Sequence, residues 1–307
     1  MSVIDFGATL RIRLGRLTRL GAIMLGMREH IAAKMAAAEI VTSPTPHLII
    51  ENFFPDDVYA KLLEYNPFAS NRGVEWMTKN ESRNVSSRTP YYARKQINFQ
   101  DNQPFDAPEE QQLFWEELKG CFLGDDWFPQ LIIDKYPMYF DIRFGDAMRE
   151  GDFISQFRRE LFLQRHEPGY YIGPHTDIPT RVFTCIFSLA DRPGYEEYGT
   201  EFVVPKNRMA RCWGNDHYSP DDFEVKVVAP YKPNNFMIFF KTRHAFHSVK
   251  AIPEDVPNQR YGMQFQFYEA GNGIFQDLSV PDLLDVVRRN PGQQTLKSKV
   301  KSLIGRG

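Results

Sequence analysis

The chain of 307 residues is 42% apolar and 25% charged, the composition of a globular protein with a sizeable core rather than of a disordered or fibrous chain. Its net charge of −2 gives no global attraction to nucleic acid, so none is expected as a partner. Three cysteines, Cys121, Cys185 and Cys212, odd in number and without a C-x-x-C pair, exclude a disulfide framework and predict a reducing, cytoplasmic setting.

Residues 1–45 read as an N-terminal amphipathic helical segment. Leu10, Leu14, Leu17, Leu20, Met24 and Met27 recur at steps of three or four. Arg11, Arg13, Arg16 and Arg19 interrupt the apolar run, so no bilayer crossing is expected. Two readings stand open: a helix packed on the main domain or a second subunit, and a basic helix touching a membrane surface or partner. Residues 46–279 read as the main domain. His47–Phe54 reads as a strand, Pro55-Asp56-Asp57 as a helix start, and Val58–Tyr65 as the helix. Residues 70–110 are polar and read as irregular, with Arg83, Arg88, Arg94 and Lys95 either offered to an acidic substrate or simply solvated. Gln111–Phe122 reads as a helix. From about residue 129 short apolar or alternating runs predict strands at Leu131–Ile133, Met138–Phe144, Glu160–Gln164, Val182–Leu189, Glu201–Val204, Phe223–Val228, Asn235–Phe240, Ser248–Ile252 and Tyr261–Tyr268. Such a series predicts an all-β sandwich or barrel. Residues 280–307 read as a C-terminal helix and basic tail.

The centre of the chain is His175-Thr176-Asp177. In an extended segment side chains two apart share a face, so both can reach one metal ion. His247-Ser248-Val249 follows beyond the apolar strand Asn235–Phe240, and Arg260 opens the last strong strand. Two imidazoles and one carboxylate on one face of Fe(II) leave open positions for a chelating 2-oxo acid and for dioxygen. A planar guanidinium suits a distal carboxylate. His244 is the rival for the third ligand, and Arg260 could instead pair with Glu254 or Asp255. His166 and Gln164 read as structural, and His30, His47 and His217 lack companions.

As an ordered set, Glu167-Pro168-Gly169, His175-x-Asp177, Arg181–Leu189, Gly199-Thr200-Glu201-Phe202 and His247-x-Val249 with Arg260 resemble the catalytic core of the Fe(II)- and 2-oxoglutarate-dependent dioxygenases, in their prolyl-hydroxylase-like branch. The resemblance spans roughly residues 160–268. It implies a mainly β fold with flanking helices, whose core is a double-stranded β-helix or jelly roll. It implies His175, Asp177 and His247 as catalytic iron ligands, with Arg260 holding the distal carboxylate of 2-oxoglutarate and Ser188 and Thr184 assisting. Arg181, Tyr171 and Trp213 become substrate-binding candidates. Ile172 departs from the Tyr of several prolyl hydroxylases, so their way of holding the other end of the co-substrate does not transfer.

The implied cofactors are Fe(II), 2-oxoglutarate as co-substrate and dioxygen, with ascorbate as an accessory reductant. The implied reaction is hydroxylation, and Asp177 argues against halogenation; Arg181, the basic stretch 83–95 and the aromatics point to a polar or anionic small molecule such as an amino acid, sugar or secondary metabolite, with a protein side chain left open. Desaturation, epimerisation, cyclisation and the oligomeric state stay open. Two other readings stand beside it: a non-catalytic jelly-roll binding module, and a cupin-type metalloenzyme that does not use 2-oxoglutarate. The insertion Pro205–Asp222, with Trp213 and Tyr218, reads either as a substrate-facing lid or as a loop pinned to the barrel.

Overall fold

The structure is a computed structural model that describes residues 6–68, 93–101, 107–149, 151–207, 209–212, 216–253 and 260–270. Helix α1 (Phe6–Ala37) leads into β1 (His47–Glu51) and α2 (Asp56–Glu64). After β2 (Arg94–Asn98) come α3 (Glu109–Lys119), α4 (Trp127–Lys135) and α5 (Pro137–Phe144). The rest of the described chain is β: β3 (Phe157–His166), β4 (Ile172–His175), β5 (Arg181–Ser188), β6 (Thr200–Pro205), β7 (Phe223–Ala229), β8 (Asn235–Phe240), β9 (His247–Val249) and β10 (Arg260–Glu269).

These strands form two antiparallel sheets. One has the order β1-β8-β5-β10-β3-β2 and the other β4-β9-β6-β7. Successive strands pass from sheet to sheet, β3 to β4 to β5 to β6, and β7 to β8 to β9 to β10. That crossing pattern is a double-stranded β-helix, the expected jelly roll with helices added on one side.

The alternation of β10 shows what each face does. Met263, Phe265 and Phe267 are buried in the aromatic core under the helices, whereas Gly262, Gln264, Gln266 and Tyr268 line an interior cavity. Phe183 of β5 stacks on Phe267 at 4.9 Å and meets Phe240 of β8 at 5.9 Å. Tyr139 of α5 closes over Phe240 at 4.3 Å and donates its hydroxyl to the carbonyls of Val182 and Lys241. The helical layer therefore packs on the outer face of the larger sheet and leaves the inner face to the cavity. Tight strand spacing also demands a glycine at position 199, where an added Cβ would lie 1.9 Å from the Ala229 carbonyl oxygen.

Helix α1 is long, as its periodicity predicts, and buries Leu20, Met24, Met27, Ile31 and Met35 in the same core, against α3 and α4. Lys135 of α4 donates to the carbonyls of Ala36 and Ala38, satisfying the end of that helix. Among the described residues no helix is long and apolar enough to cross a membrane.

Three expectations are corrected. Leu131–Ile133 and Met138–Phe144 are not strands but parts of α4 and α5. The buried set Phe128, Ile132, Ile133, Tyr136, Tyr139, Phe140 and Phe144 has helical spacing, visible only when the two runs are read across Lys135 and Pro137, with Pro137 starting α5. The stretch 70–110 is not wholly irregular, because Arg94–Asn98 pairs with β3 as an edge strand. Its Arg-Lys-Gln opening hides it, as charge on an edge strand commonly does. The C-terminal helix and tail fall outside the described residues, as do Arg83, Arg88 and Trp213.

Candidate metal centre and active-site cavity

His175 ends β4 and stands opposite His247 of β9 in the sheet register. Asp177 lies two residues further on, in the loop before β5. One donor atom from each of the three falls within 4.8 Å of the others, so they could hold one metal ion. The His175 and His247 rings lie 4.2 Å apart, and His247 Nε2 is 4.0 Å from Asp177 Oδ1. Each imidazole is fixed from behind: Nδ1 of His175 donates to the Gly173 carbonyl and Nδ1 of His247 to the Ala245 carbonyl, both at 3.0 Å. With Nδ1 protonated, each Nε2 is left as a lone-pair donor, the tautomer a metal requires. His244 stands apart from this group and takes a hydrogen bond from Arg211 Nε at 3.3 Å.

Charge state agrees with that role. Burial pushes His175 well below the usual imidazole range, reinforced by His247 and His217, and burial also lowers His247 against the pull of Asp177. Both rings are therefore neutral near pH 7. Burial tends to raise Asp177, but the Arg181 guanidinium, the two imidazoles and the Thr184 hydroxyl outweigh it and hold the carboxyl well below its ordinary range.

Thr184 and Arg181 brace that carboxylate. Thr184 Oγ1 donates to Asp177 Oδ2 at 2.7 Å and accepts from Arg181 Nη1 at 2.8 Å. Arg181 Nη1 itself lies 3.6 Å from Asp177 Oδ2, while Nη2 donates to the Tyr268 hydroxyl at 2.6 Å. Thr184 thus sits behind the carboxylate rather than on the cavity wall, and much of Arg181 is engaged with Asp177, Thr184 and Tyr268.

The cavity measures about 640 Å³, and its wall includes the triad, Arg181, Ser188 and Arg260. Arg260 is buried, and its Nη1 has no hydrogen-bond partner among the described residues. Its guanidinium lies 5.5 Å from the Tyr231 ring. Ser188 pairs with Gly262, two residues along β10 from Arg260. Tyr171 is absent from the wall; its neighbours Tyr170 and Ile172 line the cavity instead, as side-chain alternation along an extended segment requires.

Four features escaped sequence reasoning. Tyr231 joins Arg260 from the loop before β8. His217 stacks on His175 with centroids 4.5 Å apart. Its neighbour Tyr218 donates N–H to the Pro174 carbonyl at 2.9 Å, so the end of the 205–222 insertion is clipped to β4. Gly173 makes room for that clip, since an added Cβ would lie 2.9 Å from the Tyr218 carbonyl oxygen. His166, buried and stacked on Tyr170 at 4.0 Å, has neither ring nitrogen hydrogen-bonded among the described residues. It stands between Arg94 and Arg260 in register, and burial, then those two cations, push it well below the usual range. Gln96, Gln164 and Gln264 form a side-chain chain on the same wall. The period-2 pattern Gln164-x-His166 and Gln264-x-Gln266 was the available signal for the last two.

No protein-family model matches the chain, and no curated protein does. Among solved structures, a prolyl-4-hydroxylase from Pseudomonas putida is similar at a TM-score of 0.44 and 11% identity, covering 78% of this chain and 98% of that one. The non-heme alpha ketoglutarate dependent epimerase SnoN from nogalamycin biosynthesis gives a TM-score of 0.41 at 12% identity, over 79% of this chain and 83% of that one. An oxidoreductase of the 2OG-Fe(II) oxygenase family from Burkholderia pseudomallei gives 0.37 at 12% identity, over 79% and 90%. TM-scores of this size carry no argument by themselves; the functional reading rests on the site.

Proposed function

We propose that this chain is an Fe(II)- and 2-oxoglutarate-dependent oxygenase that hydroxylates an unactivated C–H bond of a polar small molecule. The observation that carries the reading is the coincidence, in one cavity, of a two-imidazole, one-carboxylate donor set and a buried guanidinium with an N–H unused among the described residues. The donor set fits the metal: Nδ1 of each imidazole is taken by a backbone carbonyl, which leaves Nε2 as the lone-pair donor, and Asp177 is held ionised. A buried cation with an unused donor is costly unless an anion completes it, and a distal carboxylate would do so.

His175, Asp177 and His247 would hold Fe(II), which with 2-oxoglutarate and dioxygen would supply the oxidising power, 2-oxoglutarate leaving as succinate and carbon dioxide. Arg260 would take the distal carboxylate as a forked donor, with Tyr231 and Ser188 beside it. Thr184 and Arg181 would keep Asp177 ionised and aimed at the metal. The apolar wall residues Ile186, Phe239 and Val249 would limit water around the reacting atoms, which strengthens each charge interaction inside.

The test is Fe(II)-dependent release of succinate from 2-oxoglutarate by purified protein, measured with and without candidate substrates. Turnover that disappears in His175→Ala supports the reading. Absence of both 2-oxoglutarate binding and turnover in the wild type overturns it.

A further inference from the structure

Resting on the oxygenase reading, we infer that the β2–β3–β10 wall is the primary-substrate subsite and that it takes a neutral polyhydroxylated ring, of the sugar or cyclitol class, through the chain Gln96–Gln164–Gln264. Gln164 Nε2 donates to Gln96 Oε1 and to Gln264 Oε1, both at 2.9 Å. Those bonds orient all three amides. Gln164 keeps its carbonyl oxygen as an acceptor, and Gln96 and Gln264 keep their NH2 groups as donors. Gln266 lies on the same wall, with its carbonyl oxygen accepting from the Tyr268 hydroxyl. An alternating row of fixed donors and acceptors is the complement of adjacent hydroxyls, each of which both donates and accepts. Phe162, next to Gln164 on the same face of β3, lines the cavity too and offers an apolar surface to the C–H face of a ring.

The charges on the cavity wall point the same way. Arg181 is engaged by Asp177, Thr184 and Tyr268. Arg94 already has an interaction within the fold. Arg260 is taken by the co-substrate in the proposed reading. The linked amides remain as the neutral donors and acceptors of this wall, which suits a neutral ligand. The amides are also deep: Gln96, Gln164 and Gln266 are 6–8% exposed. Buried amides left without partners are costly, so a site built to bond hydroxyls rejects analogues that lack them.

The test uses Zn(II)-loaded protein and saturation-transfer NMR, against methyl α-glucoside, myo-inositol and a neutral tripeptide with and without 2-oxoglutarate, and against glutamate only with 2-oxoglutarate bound. The expected result is transfer to the two polyols only, weakened at least about tenfold in Gln164→Leu and Gln164→Glu, with 2-oxoglutarate affinity unchanged in both. The unchanged 2-oxoglutarate affinity also certifies that the variants fold. Transfer to glutamate or the tripeptide, transfer to neither polyol, or polyol binding as tight in Gln164→Leu as in the wild type overturns the inference. Failure of the oxygenase reading is separate, since the polyol titration without 2-oxoglutarate reads the amide wall alone.

Discussion

Thr184→Val isolates the bracing of Asp177. Valine nearly matches threonine in shape, and Thr184 is almost fully buried, so packing is kept while one hydroxyl is lost. That hydroxyl donates to Asp177 Oδ2 at 2.7 Å and accepts from Arg181 at 2.8 Å. A hydrogen bond to an ionised partner contributes about 1.5–3 kcal/mol. Arg181 stays 3.6 Å from the carboxylate, so direct charge attraction survives and the loss should fall at the low end. The expected result is metal affinity reduced about tenfold, or roughly 1.4 kcal/mol, within the range found when groups behind a metal ligand are removed. Competition of Fe(II) or Mn(II) against a chelating dye reads it, and Thr184→Ser should restore affinity. Wild-type affinity in Thr184→Val would refute the claim that this hydroxyl tunes the ligand.

Arg260→Lys keeps the charge but loses the fork, and should weaken 2-oxoglutarate binding by about tenfold or more, with metal affinity unchanged in a parallel titration. His166 titrates in a predictable direction. Its folded value lies below the unfolded value of about 6.5 because of burial, then Arg260 and Arg94. The unfolded chain takes up the proton first, so stability is full above about pH 6.5 and falls below it, by about 1.4 kcal/mol per pH unit for each such imidazole until its folded value is reached. His166→Gln should flatten that acid limb in melts of the metal-free protein; an unchanged slope would count against a buried neutral imidazole. Phe183→Ala, which empties the stack against Phe267 and Phe240, should cost about 3–5 kcal/mol in denaturant unfolding.

Much of the barrel was legible because its strands carry their own punctuation: β5, β8 and β10 lie within a residue or two of their predicted limits. The strongest clue to the site was order along the chain, with His175, Asp177, His247 and Arg260 in sequence, and the fold brings the three candidate ligands together around one point. What stayed hidden needed the third dimension. α4 and α5 stayed hidden because runs of three and five apolar residues show no period until the neighbouring turns are added. β2 was masked by its own edge charges. His217 and Tyr231 reach the cavity from loops, and a loop has no periodicity from which a side chain's direction can be read. Thr184 was expected, from the resemblance, to assist Arg260, yet its hydroxyl bonds Asp177 and Arg181 behind the candidate ligands.

The central claim is that three side chains hold iron and a fourth holds a 2-oxo acid in the same cavity. Under anaerobic conditions, Fe(II) and 2-oxoglutarate should give the visible charge-transfer band of a chelated 2-oxo acid with the wild type. The band should be lost in His175→Ala and Asp177→Ala, and should need more 2-oxoglutarate to form in Arg260→Lys. A wild-type protein that binds Fe(II) without forming the band, or His175→Ala and Asp177→Ala variants that form it as the wild type does, would contradict the account.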